Sequence, residues 1–168
     1  MQDIDTEETV PENFVKSGYL KEKFRLFHLK DKEPKKYSYH YHEYHYHDFY
    51  KLIWFISGNV EYHIEGKTYK LEPHDILLVN KGEIHKPAVG EDAVYERYVF
   101  YISTDFLDEH SEEGSNLNQC FQMALKEQGN IIRLNPAQSR MLFETVRLLE
   151  KAEGEDIYAK EMYCRILF

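Results

Sequence analysis

Cysteine is nearly absent from this chain: Cys120 and Cys164 are the only two in 168 residues. Two thiols cannot build a disulfide framework, and residues 1–13 lack the pattern of a secretion signal. The expected setting is therefore reducing and cytoplasmic. Long apolar runs are missing as well. None approaches the ~20 residues that span a bilayer, so no membrane partner is expected. Positive charge is scarce: 21 Lys and Arg stand against 30 Asp and Glu, a formal net charge of −9. That surface repels a phosphate backbone, so these residues alone are not expected to grip DNA.

What is present is apolar and aromatic. Hydrophobic residues make up 42% of the chain and aromatics 15%, with 14 tyrosines. That is enough for a core, and the length suits one domain, or one domain with a small appendage.

The most informative stretch runs from Tyr44 to Gly58. His45 and His47 are two positions apart, so in an extended strand their rings share one face, and Phe49 and Lys51 follow on it. Leu52 to Ile56 is apolar on both faces, the mark of a strand buried on both sides. A second stretch, His74 to His85, carries an apolar strand into a turn at Asn80-Lys81-Gly82 and then a histidine.

Around these stretches the period stays close to two. Residues 19–30 read as one or two strands, Asp31 to Pro34 as a turn, and Tyr37 to His42 as a strand or an extended approach. Val60 to Ile64 and Thr68 to Leu71 are strands joined by a hairpin turn at Glu65-Gly66-Lys67. Ile76 to Val79 is a buried strand. Ala93 to Ser103 is a long aromatic one, with Tyr95, Arg97, Val99 and Tyr101 on one face. Trp54 faces away from the interior and is expected to pack between the strands and the helices.

After Asp105 the period becomes helical. A short turn starts at Thr104, capped by Thr104 or Asp105. A helix over residues 115–128 carries Leu117, Cys120, Phe121, Ala124 and Leu125 on one stripe and stops at Gly129. Asn135-Pro136 opens another, ending near Gly154. A last helix from about Asp156 is still apolar at Ile166-Leu167-Phe168, with no stop signal. The sequence is therefore expected to be part of a longer protein.

The paired stretches resemble the two motifs of the cupin superfamily. The first has two histidines one residue apart, a glutamate three or four residues on, and a glycine six residues further. His45, His47 and Gly58 fit, with Lys51 where the glutamate belongs. The second has a glycine, five residues, then Pro-x-Gly-x-x-His. Gly82 and His85 fit, His74 stands for the first glycine and Asn80 for the proline. The asparagine that usually closes this motif falls at Val89. A rival pair, His40 and His42, lies outside the spacing and is read as solvated rim.

A barrel of this kind followed by helices resembles the N-terminal half of AraC-type transcriptional regulators, most specifically over Phe49 to Ser103. The resemblance implies a mainly β fold: a cupin-type double-stranded β-helix, or jelly-roll barrel, followed by C-terminal α-helices. It divides the chain into a flexible acidic arm at 1–13, a barrel at 14–110 and a helical dimerisation region at 111–168. It implies a small-molecule effector, a homodimer, and DNA contact through a separate C-terminal domain. The effector site is expected at His45, His47, Lys51, Tyr62, His85, Arg97 and Tyr101, and dimer contacts at Met141, Leu142, Val146 and Leu149.

Two cations and three imidazoles suit an anionic or polyhydroxylated ligand, a sugar among the candidates. The bland alternative pairs Lys51 and Arg97 with Glu43, Asp48 or Glu96 near the barrel mouth; the balance is even for Lys51 and favours the interior for Arg97. No cofactor is expected to be required. His45, His47 and His85 can collect an adventitious zinc or nickel ion. The competing reading is a metal-dependent cupin enzyme, a dioxygenase or isomerase, against which Lys51 stands.

Overall fold

The computed structural model describes residues 15–16, 20, 23–32, 43–90, 93–112, 116–127 and 129–154. The acidic arm, the pair His40 and His42, and the last helix from Asp156 lie outside the described residues.

Among the described residues ten strands form two five-stranded sheets. The first holds β1 (Val15–Lys16), β3 (His45–Tyr46), β8 (His85–Val89), β5 (Val60–Ile64) and β6 (Lys67–Lys70), in that spatial order. The second runs β10 (Ile131–Arg133), β7 (Asp75–Val79), β4 (Tyr50–Ser57), β9 (Tyr95–Ile102), β2 (Phe24–Asp31). The chain passes repeatedly between the two sheets, as a jelly roll does. The described residues then form the helices α1 (Thr104–Glu109), α2 (Gln119–Glu127) and α3 (Pro136–Gly154). Two compact units result, Met1–Ile132 and Arg133–Phe168, so α2 groups with the barrel.

The alternation in the sequence becomes the core. Ile53 and Phe55 of β4, Tyr62 and Ile64 of β5, Leu77 and Val79 of β7, and Tyr95 and Val99 of β9 form one apolar cluster. Each large side chain buried this way contributes roughly 1.5–3 kcal/mol. Trp54, on the opposite face of β4, is fully buried against Tyr98 and His74, with ring centroids 5.5 and 6.2 Å away. Beyond Phe55 the β4–β9 register shifts by one residue, and Gly58 follows at φ +137°. A Cβ there would meet the Tyr95 Cα at 3.3 Å.

Turn chemistry explains the corners. Glu65 and Gly66 both have positive φ, as a two-residue hairpin turn requires, and Lys67 already belongs to β6. His74, which occupies the place of the cupin glycine, adopts φ +73°. The backbone keeps the glycine conformation although the residue is not glycine, at a cost of about 1 kcal/mol.

Two helix expectations are corrected. The cap of α1 is Ser103, whose hydroxyl accepts from the Phe106 N–H at 3.0 Å; Thr104 and Asp105 are already helical. On α2 only Phe121 and Ala124 are buried, while Cys120 is exposed and Leu125 is 59% exposed. The stripe is narrower than the sequence suggests because only one turn of this short helix is covered. The α3 cap is as expected. Asn135 Oδ1 accepts from the Ala137 and Gln138 N–H groups, and the Gln138 side chain accepts from the Asn135 N–H.

Candidate effector site

The three motif histidines converge. His45 sits directly opposite His85 across the β3–β8 pairing, and His47 follows two residues on. Ring centroids are 4.4 Å apart for His45 and His85, 4.9 Å for His47 and His85, and 5.0 Å for His45 and His47. All three are buried, and one ligand-capable atom from each lies within 4.8 Å of the others.

Main-chain carbonyls choose the tautomers. His85 Nδ1 lies 2.8 Å from the Glu83 oxygen and His45 Nδ1 lies 3.1 Å from the Glu43 oxygen. A carbonyl can only accept, so Nδ1 carries the hydrogen in both rings and Nε2 keeps its lone pair. His85 Nε2 is buried with no hydrogen-bond partner among the described residues. Burial first, then the charges of Lys51, His45 and His47, hold the His85 pKa well below its usual range, so the ring is neutral at pH 7.

The rest of this wall is aromatic. Phe49 stacks on His47 at 4.6 Å and lies 4.6 Å from the Tyr101 ring. Lys51 places Nζ 5.8 Å from the Tyr101 centroid, within reach of a cation–π attraction. Lys51 is only 8% exposed and has no carboxylate within ion-pair distance among the described residues. Burial, and secondarily the charge of Arg97, lower its pKa to about 7.

Arg97 and Tyr62 belong to a neighbouring group joined by Tyr95. The Arg97 guanidinium lies 3.9 Å over the Tyr95 ring, and the Tyr95 hydroxyl donates to the Tyr62 hydroxyl at 3.5 Å. Arg97 forms an ion pair with Asp31. Among the described residues its ionic partner is Asp31 and not Glu43, Asp48 or Glu96; Glu96 is held by Lys30 and His28. Desolvation raises the pKa values of both Tyr95 and Tyr101, so the phenols keep their protons.

All seven residues expected at the effector site are therefore buried or half-buried in the barrel. The sequence did not reveal Asp31, read as part of a turn. Strand β2 in fact extends through it, opposite Tyr95 and two residues from the Leu29–Arg97 pair. Phe49 was legible as a residue of the histidine face but not as the ring that His47 stacks on. On α3 the expected dimer residues separate. Met141 is 72% exposed, Leu142 is half-buried, and Val146 and Leu149 are buried at 2% each. The last two are interior residues of the single chain and offer no free surface.

The donors suit a divalent ion in part. Two imidazoles with Nδ1–H anchored on carbonyls match the way metal-binding histidines are oriented. Among the described residues no carboxylate completes the set, and Lys51 occupies that place in the motif.

The sequence profile of the AraC-like ligand binding domain matches residues 35–163. No curated protein matches the chain significantly. Among solved structures, apo ToxT from Vibrio cholerae is similar at 14% identity and a TM-score of 0.48, over 88% of this chain and 53% of that one. A cupin-2 domain protein from Shewanella frigidimarina is similar at 15% identity and a TM-score of 0.37, over 49% of this chain and 72% of that one. A predicted oxalate decarboxylase from Thermotoga maritima is similar at 20% identity and a TM-score of 0.34, over 36% of this chain and 53% of that one. The chain thus spans about half the length of ToxT and of the decarboxylase.

Proposed function

The chain belongs to the AraC-like ligand binding domain family, and we propose that its barrel senses a small anionic or polyhydroxylated effector on behalf of a transcriptional regulator. The observation that carries this reading is Lys51. It is buried among imidazoles and aromatic rings with no acidic partner among the described residues. A cation so placed attracts an anion, and at a pKa of about 7 it can take up the proton that an arriving acid brings. Arg97 and the imidazoles would supply further donors, and Phe49 and Tyr101 stacking faces. A sugar acid would satisfy both halves of the site. The domain would not be an enzyme. The regulator would dimerise through exposed apolar residues such as Met141 and contact DNA through a separate domain.

Thermal melts against a panel of sugar acids and neutral sugars test this. A true effector at a hundred times its Kd stabilises by about 2.7 kcal/mol. The gain should disappear in Lys51→Met and Arg97→Ala. Full retention in both variants would discard the site.

A second reading, a metal-dependent cupin enzyme, has the three convergent imidazoles in its favour. His45, His47 and His85 would hold the ion, which would supply Lewis acidity to a bound oxygen ligand. We expect any ion to be substoichiometric and dispensable. Metal analysis of protein purified without a histidine tag decides. One tightly held ion per chain, lost in His85→Ala together with a measurable turnover, would favour the enzyme.

A further inference from the structure

A cavity of about 440 Å³ lies outside the histidine cluster, between the β5–β6 hairpin, the turn before β8, and α2. None of the three histidines lines it. Its floor is a buried polar network. Tyr69 donates its hydroxyl to Asn130 Oδ1 at 2.9 Å. Asn130 Nδ2 donates to the Leu78 carbonyl at 2.9 Å and to Glu83 Oε2 at 3.2 Å. Glu83 Oε2 also accepts from the Asn80 N–H at 2.7 Å.

Two side-chain groups of this network have no hydrogen-bond partner among the described residues: Asn80 Nδ2, whose residue does not line the cavity, and Glu83 Oε1, whose residue does. The two Nδ2 hydrogens of Asn130 are spent, and the raised pKa of Tyr69, caused by burial, keeps its phenol as a donor. Glu83 is 7% exposed and lines the cavity, yet its Oε1 makes no hydrogen bond among the described residues. The open position is therefore an anionic acceptor, and it selects a cationic donor. Lys81 is exposed at the same cavity with no carboxylate partner among the described residues. Ile64, 1% exposed, and Leu125, 59% exposed, line it with apolar surface. Glu65 and Lys67, both exposed, also line it, and Glu65 Oε1 already accepts from the Ile84 N–H at 2.7 Å. The pair Glu83 and Lys81 runs from a buried anion to an exposed cation, the reverse of a zwitterion's.

We infer that this cavity binds a free amino acid with an aliphatic side chain: its ammonium on Glu83 Oε1, its carboxylate on Lys81, its side chain against Ile64 and Leu125. The site stands independently of the barrel effector. The two are joined through one residue, because the Glu83 carbonyl holds His85.

Calorimetric titration of the chain with L-leucine, isopentylamine and 4-methylpentanoate tests the assignment. Leucine should bind saturably with a Kd of roughly 1 mM or lower. Isopentylamine, lacking the carboxylate, should bind about fivefold more weakly, and 4-methylpentanoate, lacking the ammonium, not detectably. Equal binding of all three, binding of the acid alone, or no binding of leucine overturns it. Glu83→Gln keeps an acceptor for the Asn80 N–H and removes the charge, and should weaken leucine at least about tenfold. If that variant does not fold, Lys81→Glu, on the surface, decides. It should abolish the preference for leucine over isopentylamine, and an unchanged preference overturns the proposal.

Discussion

His85 points its Nδ1–H at the main-chain oxygen of Glu83, 2.8 Å away, and so leaves its buried Nε2 with a lone pair in a ring packed against those of His45 and His47. One backbone contact two residues upstream thus sets the chemistry of a buried ring. The same arrangement holds His45 on Glu43. Both rings thus keep an Nε2 lone pair, the form a metal ion or a donor ligand requires.

Metal affinity should follow from that orientation. Binding needs neutral imidazoles. Nickel or zinc titrated into the tag-free protein at pH 7, where burial keeps the His85 ring neutral, should bind saturably. His85→Ala should lose at least about tenfold in affinity. Affinity unchanged in His85→Ala would place the ion elsewhere.

Lys51 makes stability depend on pH in a defined window. Its pKa is about 7 in the folded chain, against an ordinary value of 10.5. Between those values the unfolded chain holds a proton that the folded one has released, so stability rises with pH across the window. Below it the burial penalty is present in full. Lys51→Met removes the penalty. It should be more stable than wild type at pH 7 by at least about 1 kcal/mol, with the gap closing toward pH 10. Urea melts at both pH values check this, and a gap independent of pH would refute the burial argument.

His74 should be a stabilising target. At φ +73° a histidine is strained and a glycine is not. His74→Gly should gain up to about 1 kcal/mol, less whatever is lost from its contact with Trp54 and from greater freedom of the unfolded chain. His74→Val should lose more than that, because a branched Cβ fits a left-handed position worst. Equal stabilities for the Gly and Val variants would contradict the assigned turn.

Asp31 should matter more than its position at a strand end suggests. Its partner Arg97 has a side chain only 10% exposed, while Asp31 itself is 35% exposed. Asp31→Asn removes the carboxylate paired with a buried guanidinium and should cost about 1–2 kcal/mol after solvent screening of the open side. Glu96→Gln, whose ionic contacts are with Lys30 and His28 near the surface, should cost less than half as much.

On α3 two substitutions should part company. Met141→Glu, at an exposed site, should leave the melting midpoint nearly unchanged and weaken self-association in sedimentation equilibrium. Leu149→Ala, at a buried one, should cost about 2–5 kcal/mol in the single chain. A monomer at high micromolar concentration in both wild type and Met141→Glu would refute the dimer.

Local pattern was enough for the barrel. Alternation put Tyr95, Arg97, Val99 and Tyr101 on one face, and the spacing of His45, His47, Gly58, Gly82 and His85 carried the family. These are properties of neighbours two to a dozen residues apart, and chain geometry converts them directly into direction. The partner of Arg97 was not legible, since Asp31 lies 66 positions away and only the β2–β9 register brings it near. Nor was the network of Tyr69, Asn130 and Glu83, assembled from residues 47 and 61 positions apart. Which apolar residues of α3 are covered was equally hidden, because a helical stripe shows that a face wants burial and not how much of it is reached. Sequence determined which way side chains point. Tertiary structure decided what they meet, because pairing between distant segments depends on strand register and packing that no local pattern contains.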